Sequence, residues 1–156
     1  MRIVYAAIIE CAPAQLWPWL EDPERQKRWM PGLLDNEPTT PGPARVGSTF
    51  VMTIQEGRRV ISFTGEITNY APYRHLGLRL WTGARQEIEI ATDYKMQDLG
   101  SRTRLDYTAT VDVTTAGLFV RSLAPAFRLI GTARLRRSMK ILKQLAEIEA
   151  HTPVAA

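Results

Sequence analysis

One cysteine and two histidines are all that this 156-residue chain has of the side chains that most often hold metals or relay protons. Cys11 has no partner for an internal disulfide, and a lone thiol makes no metal cluster. His75 shares its strand face with Arg79 and Trp81, which puts it on an outer surface, and His151 lies in the tail. A nucleophile–histidine–acid relay and a histidine metal site are therefore not expected. Glycine-rich phosphate loops and metal-ligand spacings are missing too, so neither metal nor cofactor is expected. No stretch approaches the ~20 apolar residues of a membrane span. Met1–Ile9 is apolar but reaches Glu10 too soon for a signal-peptide core and suits a strand better. A reduced, cytoplasmic setting is the default expectation. Acid is absent between Gly117 and Ala146, a stretch that carries seven bases: Arg121, Arg128, Arg134, Arg136, Arg137, Lys140 and Lys143. The other 13 bases face 16 acids, so this one stretch accounts for the net charge of +4.

What is present is ordinary in bulk, with 45% apolar and 23% charged residues. A chain of this length buries roughly 68–70% of its unfolded surface as one domain, expected over residues 1–150 with a flexible tail at 151–156. The basic balance does not imply nucleic acid, because the aromatics do not interleave with the bases as stacking platforms. A solvated amphipathic helix face is the simpler reading. Contact between the basic helix and an anionic membrane surface, or an acidic headgroup, stays open beside it.

Periodicity predicts the elements. Arg2–Glu10 is a strand, ended by Cys11-Ala12-Pro13. Ala14–Leu20 is a short helix, with Pro18 limiting its regularity. Asp22 caps a second helix over Pro23–Trp29, with Pro23 at its first position. Leu33–Val46, rich in proline and turn formers, predicts a loop with room for a short edge strand. A meander follows, with one apolar face: Phe50, Met52 and Ile54; then Ile61, Phe63, Gly65 and Ile67; then Leu76, Leu78 and Leu80. Ile88, Ile90, Thr92, Tyr94 and Met96 continue it, as do Leu105, Tyr107, Ala109, Val111 and Val113. The other face carries Glu87, Glu89, Asp93, Lys95, Arg104, Asp106 and Asp112, as expected of an antiparallel sheet with one wet side. Thr114-Thr115 offers a helix cap. Apolar residues then recur at helical spacing from Leu123 through Phe127, Ile130, Leu135, Met139 and Leu142 to Ile148, with Pro125 kinking the helix or opening its main segment.

This order of elements, with Ala12-Pro13, Trp17-Pro18-Trp19-Leu20, Asp22-Pro23 and Trp29 behind it, resembles the START/Bet v 1-like superfamily. More narrowly it resembles the polyketide cyclase/dehydrase and lipid-transport branch, over almost the whole chain. The resemblance implies an α+β helix-grip fold: a curved antiparallel sheet of about six or seven strands around a long C-terminal helix, with two short helices after strand one. It further implies an elongated apolar cavity between sheet and helix. Members of the superfamily bind lipids, sterols, polyketides or other hydrophobic molecules; some cyclise or dehydrate them, and others act as co-chaperones. No shared catalytic set carries over to this chain.

A hydrophobic ligand is expected to meet Trp19, Trp29, Met52, Phe63, Leu78, Ile90, Tyr94, Tyr107, Phe127, Leu135 and Met139. Tyr94 and Tyr107 are either core aromatics or donors of one or two orienting hydrogen bonds. Trp17, Trp19 and Trp29 line a cavity mouth or staple the short helices to the sheet. Met52, Met96 and Met139 suit adaptable walls. Gly65 marks a bend and leaves ligand room. Arg134, Arg136, Arg137 and Lys140 favour an outward, snorkelling arrangement over an inward anion contact. The expectation is binding or carriage of a hydrophobic small molecule. A polyketide cyclase/dehydrase-like enzyme and a co-chaperone-like interaction module are the alternatives.

Overall fold

Runs such as Phe50, Met52 and Ile54 carry one wettable and one apolar side, so each must lay its apolar side on something. The computed structural model describes residues 1–83, 88–113, 118 and 124–153, the side chains of 124–130 excepted. Its strands are β1 (Arg2–Ile9), β2 (Leu33–Pro38), β3 (Thr49–Glu56), β4 (Arg59–Ala71), β5 (His75–Thr82), β6 (Ile88–Asp98) and β7 (Thr103–Asp112). They form one seven-stranded sheet in the order β1-β7-β6-β5-β4-β3-β2. Every neighbouring pair is antiparallel, and the first strand closes on the last, Arg2 opposite Thr110 and Ile9 opposite Thr103.

Two short helices follow β1: α1 (Pro13–Glu21) and α2 (Pro23–Trp29). The Gln15 side chain accepts from the Ala12 amide at 2.9 Å, which satisfies one orphan donor at the start of α1. Pro18 does not interrupt α1, which runs to Glu21 despite the missing donor. Asp22 ends α1 and caps α2, its carboxylate accepting from the Glu24 amide at 2.9 Å. Pro23 at the first helical position needs no amide bond there.

The segment expected to be mostly loop does contribute a strand. β2 pairs with β3 along the outer edge, with a bulge between Leu33 and Asp35. Pro38 is tolerated as its last residue because an edge strand can spare a donor.

The long helix α3 (Ala124–His151) carries Pro125 in its first turn and packs along β1 and against α1 and α2. Leu16, Leu20, Trp29, Leu105, Tyr107, Met139 and Leu142 join one buried cluster that ties α1 and α2, sheet and helix together. This is the α+β helix-grip arrangement expected from the sequence. The cap expected at Thr114-Thr115, Glu87, and the side chains of Arg121, Leu123, Phe127, Arg128 and Ile130 lie outside the described residues.

Candidate functional site

A cavity of about 140 Å³ lies under α1 and α2, against the inner face of the sheet. Leu20, Phe50, Ile67, Leu76 and Leu78 give it apolar walls, while Glu21, Gln26, Asn36, Thr40, Ser48 and Tyr70 bring polar atoms to it. No described residue of α3 lines it. The C-terminal half of that helix instead meets protein side chains, with Met139 and Leu142 at 2% and 0% exposure. The elongated space expected between sheet and helix is thus closed along this half, and the open volume sits toward β2–β5.

Two polar clamps frame the cavity. Gln26 is buried; its amide nitrogen donates to the Leu20 carbonyl at 2.6 Å and its oxygen accepts from Asn36 at 2.6 Å, which joins α1, α2 and β2. Glu21 uses both carboxylate oxygens: Trp17 Nε1 donates to one at 2.7 Å, and the Tyr70 hydroxyl donates to the other. Trp17 also meets Tyr70 and Tyr73 edge-on, at centroid distances of 5.7 and 6.2 Å. Burial, then the neighbouring Glu21 carboxylate, pushes the Tyr70 phenol up to about 12, so it keeps its proton and remains a donor.

Deeper on the sheet, Tyr94 and Tyr107 face each other across β6 and β7 with ring centroids 4.9 Å apart, and Trp29 meets Tyr94 edge-on at 6.5 Å. Burial raises both phenols well above their ordinary range. Thr92, opposite Leu78, is buried, and its hydroxyl has no partner among the described residues. An unpaired buried hydroxyl costs about 1–3 kcal/mol, so this one is a free acceptor and donor of consequence.

Of the residues expected to meet ligand, Leu78 stands in the cavity wall. Phe63, Ile90 and Leu135 are half-buried against the core, whereas Met52, Tyr94, Tyr107 and Met139 are buried within it. Trp19 and Trp29 are buried together, Trp29 Nε1 donating to the Trp19 carbonyl at 2.8 Å. Arg25 and Arg28 each hold a guanidinium 4.9 Å from the centre of the Trp19 ring. The Phe127 side chain lies outside the described residues. The room expected above Gly65 is filled by the Phe50 ring. His75 sits on the outer face bonded to Asp93 at 2.6 Å, away from the cavity. No group of three or more metal-ligating side chains occurs among the described residues, and no described helix is long and apolar enough to cross a membrane.

Sequence reasoning missed Tyr70 because a bulge between Ile67 and Asn69 resets the alternation of β4. Odd residues point inward up to Ile67, and Tyr70 takes the inward place after it. Glu21 carried a findable signal, the four-residue spacing from Trp17 that lets the two meet on one helix face.

Residues 1–147 match the family described as polyketide cyclase / dehydrase and lipid transport. No curated protein matches the chain. Among solved structures, the Zhui aromatase/cyclase from Streptomyces sp. R1128 superposes with a TM-score of 0.79 at 13% identity, covering 97% of this chain and 96% of that one. Protein TTHA0849 from Thermus thermophilus gives 0.77 at 13% identity, covering 97% and 100%. Ara h 8.0201 gives 0.72 at 11% identity, covering 94% and 97%. Likeness at these identities establishes the fold alone.

Proposed function

Because the chain belongs to the polyketide cyclase / dehydrase and lipid transport family, we propose that it binds a small hydrophobic molecule in the cavity beneath α1 and α2. The observation that carries this reading is the pairing of an apolar floor with a proton-holding Tyr70 and the Glu21 carboxylate at the wall. Apolar walls supply the driving force for entry, and a few placed polar groups fix orientation. Size sets the class of guest. An apolar cavity of about 150 Å³ accepts a benzene-sized molecule, so the 140 Å³ here fits one ring or a short branched chain. A lipid tail or a multi-ring polyketide needs the segment from Pro38 to Ser48 to move aside.

The test is a titration with single-ring aromatic compounds, phenols among them, followed by NMR. Shifts concentrated at Phe50, Leu78 and Tyr70, and lost in Leu78→Phe, support the reading. Shifts elsewhere, or none, remove it.

A second reading is catalysis of cyclisation or dehydration. The Glu21–Tyr70 contact at the cavity wall favours it, as does the likeness to an aromatase/cyclase. Such chemistry needs a carboxylate and a phenol positioned to move protons at a ligand carbonyl. Glu21→Gln or Tyr70→Phe would then lower turnover of a poly-β-ketone far more than it weakens binding. Tyr94→Phe and Tyr107→Phe examine the deeper hydroxyls in the same assay. Unchanged rates in all four variants reject it.

A further inference from the structure

The described lysines and arginines of α3 divide into two kinds. Arg134 is held by Glu56 and Lys143 by Glu147, one carboxylate for each. Between them Arg136, Arg137 and Lys140 are exposed, and no ion pair to a described residue holds any of the three. They border a groove of about 420 Å³ whose opposite wall is Tyr5 of β1.

The groove follows from how strand and helix run side by side. A β-carbon on Gly131 would lie 3.7 Å from Ile3, and Lys143 donates to the Ile8 carbonyl at 2.8 Å. Five strand residues at ~3.3 Å span about 17 Å, and twelve helical residues at ~1.5 Å span about 18 Å. Tyr5 falls near the middle, opposite the three free cations. β1 is the edge of the sheet, bonded to β7 on one side only. On its other face Val4 is 63% exposed and Ile8 36%. Three cations without an ion-pair partner among the described residues thus lie open on the helix side of this edge, while the exposed aliphatic side chains face the opposite side of the strand.

We infer that the β1–α3 edge docks the protein on an anionic lipid surface. Cations with no ion-pair partner among the described residues attract the acidic headgroups of such a surface. Nucleic acid fits less well, because the groove offers one half-buried phenol and no row of stacking aromatics. The inference stands apart from the cavity reading, since none of these residues lines that cavity.

The test is cosedimentation of the whole chain with vesicles of phosphatidylglycerol and phosphatidylcholine in equal parts, against pure phosphatidylcholine. Binding is expected only to the anionic vesicles and is expected to fall with added salt. The triple variant Arg136→Gln, Arg137→Gln, Lys140→Gln should weaken it about a hundredfold, at about fivefold per cation. Its circular dichroism should match the parent, and its uptake of single-ring ligands should not change. Arg74→Gln, in the turn between β4 and β5, should bind vesicles like the parent. Absence of vesicle binding, equal binding by the triple variant, or equal weakening by Arg74→Gln overturns the inference. So does a groove that takes up inorganic phosphate or an oligonucleotide while ignoring vesicles.

Discussion

The ring of Phe50 lies over Gly65 on the neighbouring strand, in the place that a β-carbon on Gly65 would need. The glycine is thus a seat for the ring, and the ring is one wall of the cavity. Gly65→Ala should destabilise the fold by roughly 1–3 kcal/mol, the usual cost of overpacking a core. Pairing it with Phe50→Leu should recover part of that loss, because the smaller side chain leaves space for the methyl group. Chemical denaturation of the two single variants and the double variant measures the coupling.

Thr92 separates stability from binding. Its buried hydroxyl has no partner among the described residues, so Thr92→Val should leave stability unchanged or raise it by about 1 kcal/mol. If a guest uses that hydroxyl, the same variant binds it less tightly. Thermal melting with and without a phenolic ligand reads both effects.

Trp29→Phe removes the donor to the Trp19 carbonyl and leaves a buried acceptor unmatched. A loss of about 1–3 kcal/mol is expected. Amide exchange should quicken first in α1 and α2, which this bond ties together.

Alkaline pH should unfold the protein through its tyrosines. Tyr70, Tyr94 and Tyr107 all hold their protons more tightly when folded, chiefly through burial. A raised folded value leaves the full contribution in place below the unfolded value near 10. Stability then falls as pH rises toward about 12 for Tyr70, and further for the other two. For Tyr94 and Tyr107 the slope is about 1.4 kcal/mol per pH unit each. Tyrosinate absorbance followed against far-ultraviolet circular dichroism, in a Tyr5→Phe, Tyr73→Phe background that removes the two other tyrosines, should show ionisation and unfolding together. Early ionisation without unfolding in that background would contradict the assignment.

Much of this architecture was legible in period-two alternation. Leu76, Leu78 and Leu80 announced β5, and Asp22-Pro23 announced the junction of α1 and α2, because strand pleats and helix caps are local rules. The cavity was less legible, since local pattern says which face is apolar and not where two apolar faces fail to touch. Tyr94 and Met139 have the same inward signature as Leu78, yet they pack solid while Leu78 borders open space. Tyr70 escaped notice for a narrower reason: one bulged residue in β4 inverts the parity on which the inward assignment rests. The groove of free cations needed the structure, because only there do Arg134 and Lys143 find carboxylates while the bases between them do not.

The antiparallel pairing of β1 with β7, Ile9 against Thr103, joins residues far apart in the chain. Contacts of such long range slow folding, because the intervening chain must be ordered before they form. During synthesis on the ribosome the first strand emerges well before its hydrogen-bonding neighbour exists. Any truncation upstream of Thr103 would leave that strand permanently unmatched, a ready template for aggregation.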